Sequence, residues 1–442
     1  MAGQGNSHAR VLLAACLCLI SIAALTGCAS LSRGQASVLW HGDAVPLGFS
    51  SSVRTVGDTQ QSFMVRSAQL LTRARAAAGD GPINILALSG GGAGGAFGAG
   101  ALVGWTRQGT RPEFQIVTGV SAGALIAPFA FLGPSWDVRL TEAFSGARTE
   151  RLLQPNGLGA LFGASVYRGE PLVALVDSYV TDELLHAIAI EAAKGRQLVV
   201  ATTDLDKEQT VIWNLSALAS QGGEPARRLF RDVLVAAASI PGVFPPVIIR
   251  VEESGEIFDE MHVDGATTAS LFIAPEIAGY LTDPLHELQG ANLYVIVNGQ
   301  LGTVTQTTSI ATLKIARRGL AAVLQSNARA DFAVASAFAQ RNGMTVSVTD
   351  IPEDYAYGGP LDLRRSRMKS LFNFAFRCAA QEQLWATPLE IMERADKAHL
   401  TLPEGLITCP GPAQTTPNPS LQTAEAPSEG AAISSASIAD AN

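Results

Sequence analysis

Two consecutive stretches of the chain run from a short apolar segment, through a turn of small residues, into an apolar helical stretch. The first is residues 83–105, INILALS followed by GGGAGG and AFGAGALVGW; the second is residues 114–129, FQIVTG followed by VSAG and ALIAPF. A strand, a tight turn and a helix, repeated in tandem, form the unit of a parallel sheet covered by helices. Few other arrangements bury strands that are apolar on both faces.

Three further apolar runs read as strands: residues 197–203 (QLVVATT), 209–214 (QTVIWN) and 291–299 (ANLYVIVNG). With helical segments between them, including PARRLFRDVLVAAAS, the order implies an α/β sandwich with a mainly parallel sheet. Residues 306–342 and 362–397 turn helical, interrupted by MTVSVTD, so a mostly helical C-terminal extension over 301–409 is expected to pack on a sheet domain over 81–300. From Pro410 to residue 442 the chain is rich in Pro, Ser, Thr and Ala with no aromatic residue, which predicts a disordered tail. Residues 64–78 have helical spacing and end at a GDGP break. Residues 28–80 therefore read as a tether and lead-in helix.

The N-terminus carries different information. His8 and Arg10 precede the apolar run VLLAACLCLISIAAL, which suits the core of a secretory signal and is short for a membrane span. Leu25-Thr26-Gly27-Cys28 then resembles the lipobox of bacterial lipoproteins, in which residues 1–27 are removed and Cys28 carries the lipid. The resemblance implies a membrane-anchored protein facing the periplasm, and Ala29 after the cysteine favours the outer membrane. Two thiols outside the signal and lipobox, Cys378 and Cys409, would then meet an oxidising compartment and could pair. The net charge of −8 and the absence of a long basic cluster argue against a nucleic-acid partner.

The glycine run at 90–95 admits several readings. A flexible linker is excluded, because the run joins a strand to a helix. A Walker-type phosphate loop would need a lysine that is absent. Gly90, Gly92 and Gly95 fit a dinucleotide fingerprint, but the acidic residue expected about twenty positions on falls at Glu113, before a strand rather than after one.

The second unit decides among them. Gly119-Val120-Ser121-Ala122-Gly123 lies between a strand and a helix, the setting of a nucleophile elbow, with Ser121 thrust outward and Gly119 and Gly123 permitting the turn. A serine nucleophile needs a base and donors for the oxyanion. The loop amides of Gly90, Gly91, Gly92, Ala93, Gly94 and Gly95 are candidate donors, with Gly91, Gly92 and Ala93 foremost. None of the six histidines sits in a glycine-marked turn, whereas Asp264 is held by Gly265 and Ala266 in MHVDGATT.

Four ordered blocks, GGGAGG (90–95), GVSAG (119–123), ASIPGVFPP (238–246) and DGA (264–266), together resemble the patatin-like phospholipase family. The resemblance implies a three-layer α/β/α fold and hydrolysis of lipid acyl esters, phospholipids among them, by a Ser–Asp dyad without histidine, metal or cofactor. Ser121 would be the nucleophile, Asp264 the base and 90–95 the oxyanion loop, with block 238–246 shaping the wall near the site. One departure stands out: Gly94 occupies the position where the family's loop commonly carries Arg or Lys. Two alternatives remain open on the residues. One is a non-catalytic envelope lipoprotein that binds lipid or acts as a scaffold. The other is an α/β esterase whose triad combines Asp264 with His286 or His399.

Overall fold

The computed structural model describes residues 44–56, 60–146, 149–157, 163–273, 286–302, 307–397 and 407–412. Its centre is one sheet of strands β1 (Val45–Pro46), β2 (Arg54–Val56), β3 (Asn84–Leu88), β4 (Ile116–Val120), β5 (Gln197–Asp204), β6 (Gln209–Asn214), β7 (Val247–Glu253), β8 (Glu256–Asp264), β9 (Asn292–Val297) and β10 (Thr345–Asp350). The main path is β1-β7-β8-β5-β4-β3-β9-β10, with β6 branching from β5 and β2 pairing β6. The five strands β5-β4-β3-β9-β10 are parallel, and the remaining pairings are antiparallel.

The helices are α1 (Gln60–Ala78), α2 (Gly95–Gln108), α3 (Ala122–Leu132), α4 (Asp137–Phe144), α5 (Glu170–Asp177), α6 (Asp182–Ala193), α7 (Leu215–Gln221), α8 (Gly223–Ala237), α9 (Thr312–Arg341), α10 (Arg365–Ala380) and α11 (Pro388–Lys397). Strand alternation sorts them into layers. Leu86 and Leu88 of β3 join a core with Phe97, Ile126, Phe230 and Phe372 from α2, α3, α8 and α10. Ile85 and Ala87 of the same strand face a second core with Leu71, Phe338 and Ile391 from α1, α9 and α11. Burial on both faces accounts for the uninterrupted apolar character of these strands. The chain is thus a mixed α/β fold, a sheet parallel at its centre between two helical layers.

Two segments differ from the sequence expectation. Part of the expected tether belongs to the sheet: β1 pairs with β7 and β2 with β6. Arg54 is buried, donating to Ala44 O at 2.7 Å and forming a two-pronged pair with Glu260 at 2.5 and 3.2 Å. Strands of two and three residues are too short for a period to show, and a buried arginine reads locally as surface. The C-terminal extension is mostly helical but also supplies β10, which lies parallel to β9 in full register.

Part of the glycine-rich stretch serves helix packing. A Cβ on Gly100 or Gly104 would overlap the backbone oxygen of Phe372 or Phe376, so these α2 glycines let α10 pack at backbone distance. Cys378 of α10 forms a disulfide with Cys409, with Cα atoms 5.5 Å apart. This ties the segment 407–412 to the same helix.

Candidate active site

β4 ends at Val120, and Ser121 occupies the turn into α3 with φ 52° and ψ −124°. That conformation is rare for a residue with a side chain and persists only where the surroundings hold it. They do so by close approach. A Cβ on Gly119 would lie 2.5 Å from Gly123 O, and one on Gly123 would overlap Leu88 O. Two glycines flanking the serine are therefore steric requirements of the turn, and Ser121 sits at the N-terminal, positive end of α3.

Asp264 is the last residue of β8, beside Thr202 of β5, a neighbour of β4 in the sheet. The Ser121 hydroxyl donates to Asp264 Oδ2 at 2.6 Å, and Asp264 Oδ1 accepts from the Ala266 amide at 2.8 Å. The backbone around the acid is fixed as well. Asp264 N donates to Ser239 O at 2.9 Å, and Thr203 Oγ1 donates to Asp264 O at 3.1 Å. Ser239 thus gives block 238–246 a role besides wall-forming, since it anchors the acid's main chain. A Cβ on Gly265 would stand 2.5 Å from Ala201 O, so the turn after the acid also needs its glycine.

Ser121 and Asp264 are both buried. Burial pushes the Asp264 carboxyl up to about 7, against the opposing effect of the Ser121 and Ala266 hydrogen bonds.

The loop after β3 passes directly over the serine. A Cβ on Gly90 would lie 3.2 Å from Ser121 Cβ. Four of the six loop amides are engaged within the protein: Gly90 N with Ser270 O, Ala93 N with Pro360 O, Gly94 N with Gly91 O, and Gly95 N with Ala93 and Gly92 carbonyls. Among the described residues, the amides of Gly91 and Gly92 have no protein acceptor. The donor set expected over 90–95 therefore narrows to Gly91 and Gly92, because loop closure consumes the others.

Gly92 and Ser121 open onto one cavity with an apolar lining. Its walls come from α3 (Leu125, Phe129), α5 (Leu172, Val176), α8 (Leu234), the turn after it (Ile240, Phe244) and the segment Pro360–Leu363. A space of this character accepts hydrocarbon rather than a charged group.

Residues 86–276, a span holding the glycine loop, Ser121 and Asp264, match the family model described as patatin-like phospholipase. The chain carries a patatin-like phospholipase domain. A crystal structure of VipD from Legionella pneumophila is also similar, with 14% identity, coverage of 72% of this chain and 67% of that one, and a TM-score of 0.28. No curated protein matches the chain. A patatin-like domain supports lipid acyl hydrolase function in general terms.

Among the described residues, no histidine hydrogen-bonds to Ser121. His262 is fully buried, with Nδ1 3.0 Å from Thr202 Oγ1 and Nε2 3.2 Å from Glu260 Oε2, inside the cluster that holds Arg54. His186 and His286 are exposed. His399 and the lipobox Cys28 lie outside the described residues.

Sequence reasoning missed three contributors. Asn298, after β9, donates Nδ2 to Ser89 O at 2.7 Å and its amide to Ser89 Oγ at 2.8 Å, and accepts from Gly98 N at 3.2 Å. A polar residue ending an apolar strand was the available signal. Tyr357 donates its hydroxyl to Gly91 O at 2.9 Å, and Pro360 O receives the Ala93 amide at 2.8 Å. Nothing local in their surroundings marks these two.

Proposed function

We propose that the protein is a serine acyl hydrolase of the lipase or phospholipase A type, working through Ser121 and Asp264. The observation carrying this reading is the direct 2.6 Å hydrogen bond between the two, at the mouth of an apolar cavity. Ser121 Oγ attacks the ester carbonyl while its proton passes to Asp264 Oδ2. The oxyanion forms beside the Gly91 and Gly92 amides, which no protein acceptor occupies. Collapse expels the alcohol, which takes the proton from Asp264. Water then attacks the acyl–Ser121 ester, gives its proton to Asp264, and Ser121 leaves as the hydroxyl when that proton returns.

An ordinary carboxylate is a weak base at neutral pH, and burial of Asp264 corrects this by bringing its pKa to about 7. The cavity takes the acyl chain. Acylation of Cys28 would keep the domain at the envelope membrane, on the periplasmic side, where acyl-ester lipids are concentrated.

The test is hydrolysis by the purified protein of phospholipids, lysophospholipids and short-chain esters, with Ser121→Ala as the control. Fatty-acid release that disappears in Ser121→Ala supports the reading. Release that persists in the variant, or no release from any of these esters, contradicts it.

A further inference from the structure

The oxyanion loop departs from the family pattern at Gly94, and the structure around Gly94 explains the departure. A Cβ there would overlap Asn298 O and stand 2.9 Å from Tyr357 Oη. The space into which a basic side chain would start is already filled, and one of the groups filling it is a phenol from outside the matched span.

That phenol belongs to a strap, residues 351–364, which leaves β10 and crosses the loop before α10 begins. The strap is held at its start by the segment after β9 and at its end by α10. Ile351 N donates to Gly299 O at 2.9 Å, and Gln300 Nε2 donates to Pro352 O at 2.9 Å. Beyond the crossing, Arg364 O accepts from the Arg367 and Met368 amides of α10, each at 3.0 Å. Between these anchors Tyr357 Oη and Pro360 O make the two contacts with the loop described above.

The consequence follows from the planarity of the peptide. In a trans peptide the carbonyl oxygen of one residue and the amide hydrogen of the next point in opposite directions. Holding Gly91 O therefore aims Gly92 N–H the other way. Gly91 O accepts from Tyr357 Oη at 2.9 Å and from Gly94 N at 2.9 Å. The preceding peptide is held in the same manner, with Ser89 Oγ donating to Gly90 O at 2.7 Å, which aims Gly91 N–H. Glycine is flexible enough to turn these planes, so their direction depends on such partners. Burial also pushes the Tyr357 hydroxyl above its ordinary range, so it remains a neutral donor at any working pH.

We infer that Tyr357, delivered by the C-terminal strap, is a positioning residue for the oxyanion hole and takes over the loop-steadying place that a basic residue would hold at position 94. This rests on the proposed serine hydrolase reading. On this account the extension completes the active site, and the matched span alone lacks one of its supports.

The decisive comparison is Tyr357→Phe against the parent in the full chain, with short-chain ester hydrolysis expressed per active site titrated by a fluorophosphonate and Ser121→Ala, which the probe cannot label, measured per mole of protein as the blank. Phe keeps the ring and removes one hydrogen bond. The expected result is a fall in kcat of about tenfold with KM within about twofold and Tm nearly unchanged, because the oxyanion exists only beyond the ground state. Unchanged kcat per titrated site, or a loss appearing wholly in KM or in the titrated fraction, would overturn the inference. Should Tyr357→Phe not accumulate, Tyr357→His, which retains a ring and a donor, is measured instead, and parental kcat per site in a variant whose ring no longer reaches Gly91 O by crystallography overturns it equally. Activity surviving in Ser121→Ala would instead sink the hydrolase reading itself, so the two failures are distinguishable.

Discussion

Asp264 receives the Ser121 hydroxyl on one carboxylate oxygen, at 2.6 Å, and the Ala266 amide on the other, at 2.8 Å. With both oxygens occupied and its pKa near 7, the carboxyl is aimed at the serine and gains basicity from burial. A pH dependence follows. The ionised form is the base, so kcat/KM should rise through an apparent pKa of about 7 and level off above it. A profile flat between about pH 5 and pH 8 would argue against Asp264 as the titrating base.

The same shift acts on stability with the opposite benefit. Between the unfolded value of 3.8 and the native value of about 7 the native state binds more protons, so stability is lost as pH rises through that window. Asp264→Asn removes the cost of a buried charge. At pH 8 the variant is expected to melt at least ~2 °C above the parent, with the advantage vanishing near pH 4. Parallel melting curves at all pH values would show that the carboxyl is not destabilised by burial.

Gly92 has φ +54° and lies against Pro360 O, and its amide is one of the two left free. Gly92→Val is expected to lower turnover by ~10²-fold or more through misdirection of that amide. Circular dichroism and a melting curve establish that the variant is folded before the rate is compared. A folded variant that hydrolyses a short ester at the parental rate would remove Gly92 from the oxyanion hole.

Arg54 joins the N-terminal strand to Glu260 within a buried charge cluster. Burial alone would raise the Glu260 carboxyl, but hydrogen bonds from His262 and Arg54 hold it well below the usual range. Arg54→Ala removes the carboxyl's two-pronged partner, leaving Lys207 Nζ at 3.3 Å and His262 Nε2 at 3.2 Å, and should cost roughly 2–3 kcal/mol in urea unfolding. A loss below ~1 kcal/mol would mean the cluster is hydrated and the N-terminal strands are dispensable.

Cys28 tests the anchoring proposal. Cys28→Ser is expected to release the protein from the membrane fraction or leave it as an unprocessed precursor. Unchanged fractionation with normal processing would rule the lipid anchor out.

What could be read from the sequence depended on whether each feature was encoded locally. The elbow at Ser121, the turn at Asp264 and the strands β3, β4, β5, β6 and β9 carry their signals in adjacent residues, through glycines at steric pinch points and runs buried on both faces. The hairpin β7–β8 mixes exposed and buried positions, and its charged residues hide the strand that delivers Asp264. Arg54, Asn298, Tyr357 and Pro360 act through partners at least ten residues away in sequence, most of them hundreds. The glycine run shows the limit clearly. Its composition marks places of close approach without saying that Gly100 and Gly104 approach α10 while Gly91, Gly94 and Gly98 approach Asn298.

The central claim is that a carboxylate, with no histidine, takes the proton from Ser121. The most direct measurement is ester hydrolysis by folded Asp264→Asn and Ser121→Ala set beside His186→Ala, His262→Ala, His286→Ala and His399→Ala. The account predicts near-complete loss in the first two and activity within about tenfold of the parent in the four histidine variants, His262→Ala being the most affected because its ring packs in the cluster behind β8. A fall of ~10³-fold or more in any folded histidine variant, or substantial activity in Asp264→Asn, would contradict the dyad and restore a histidine triad.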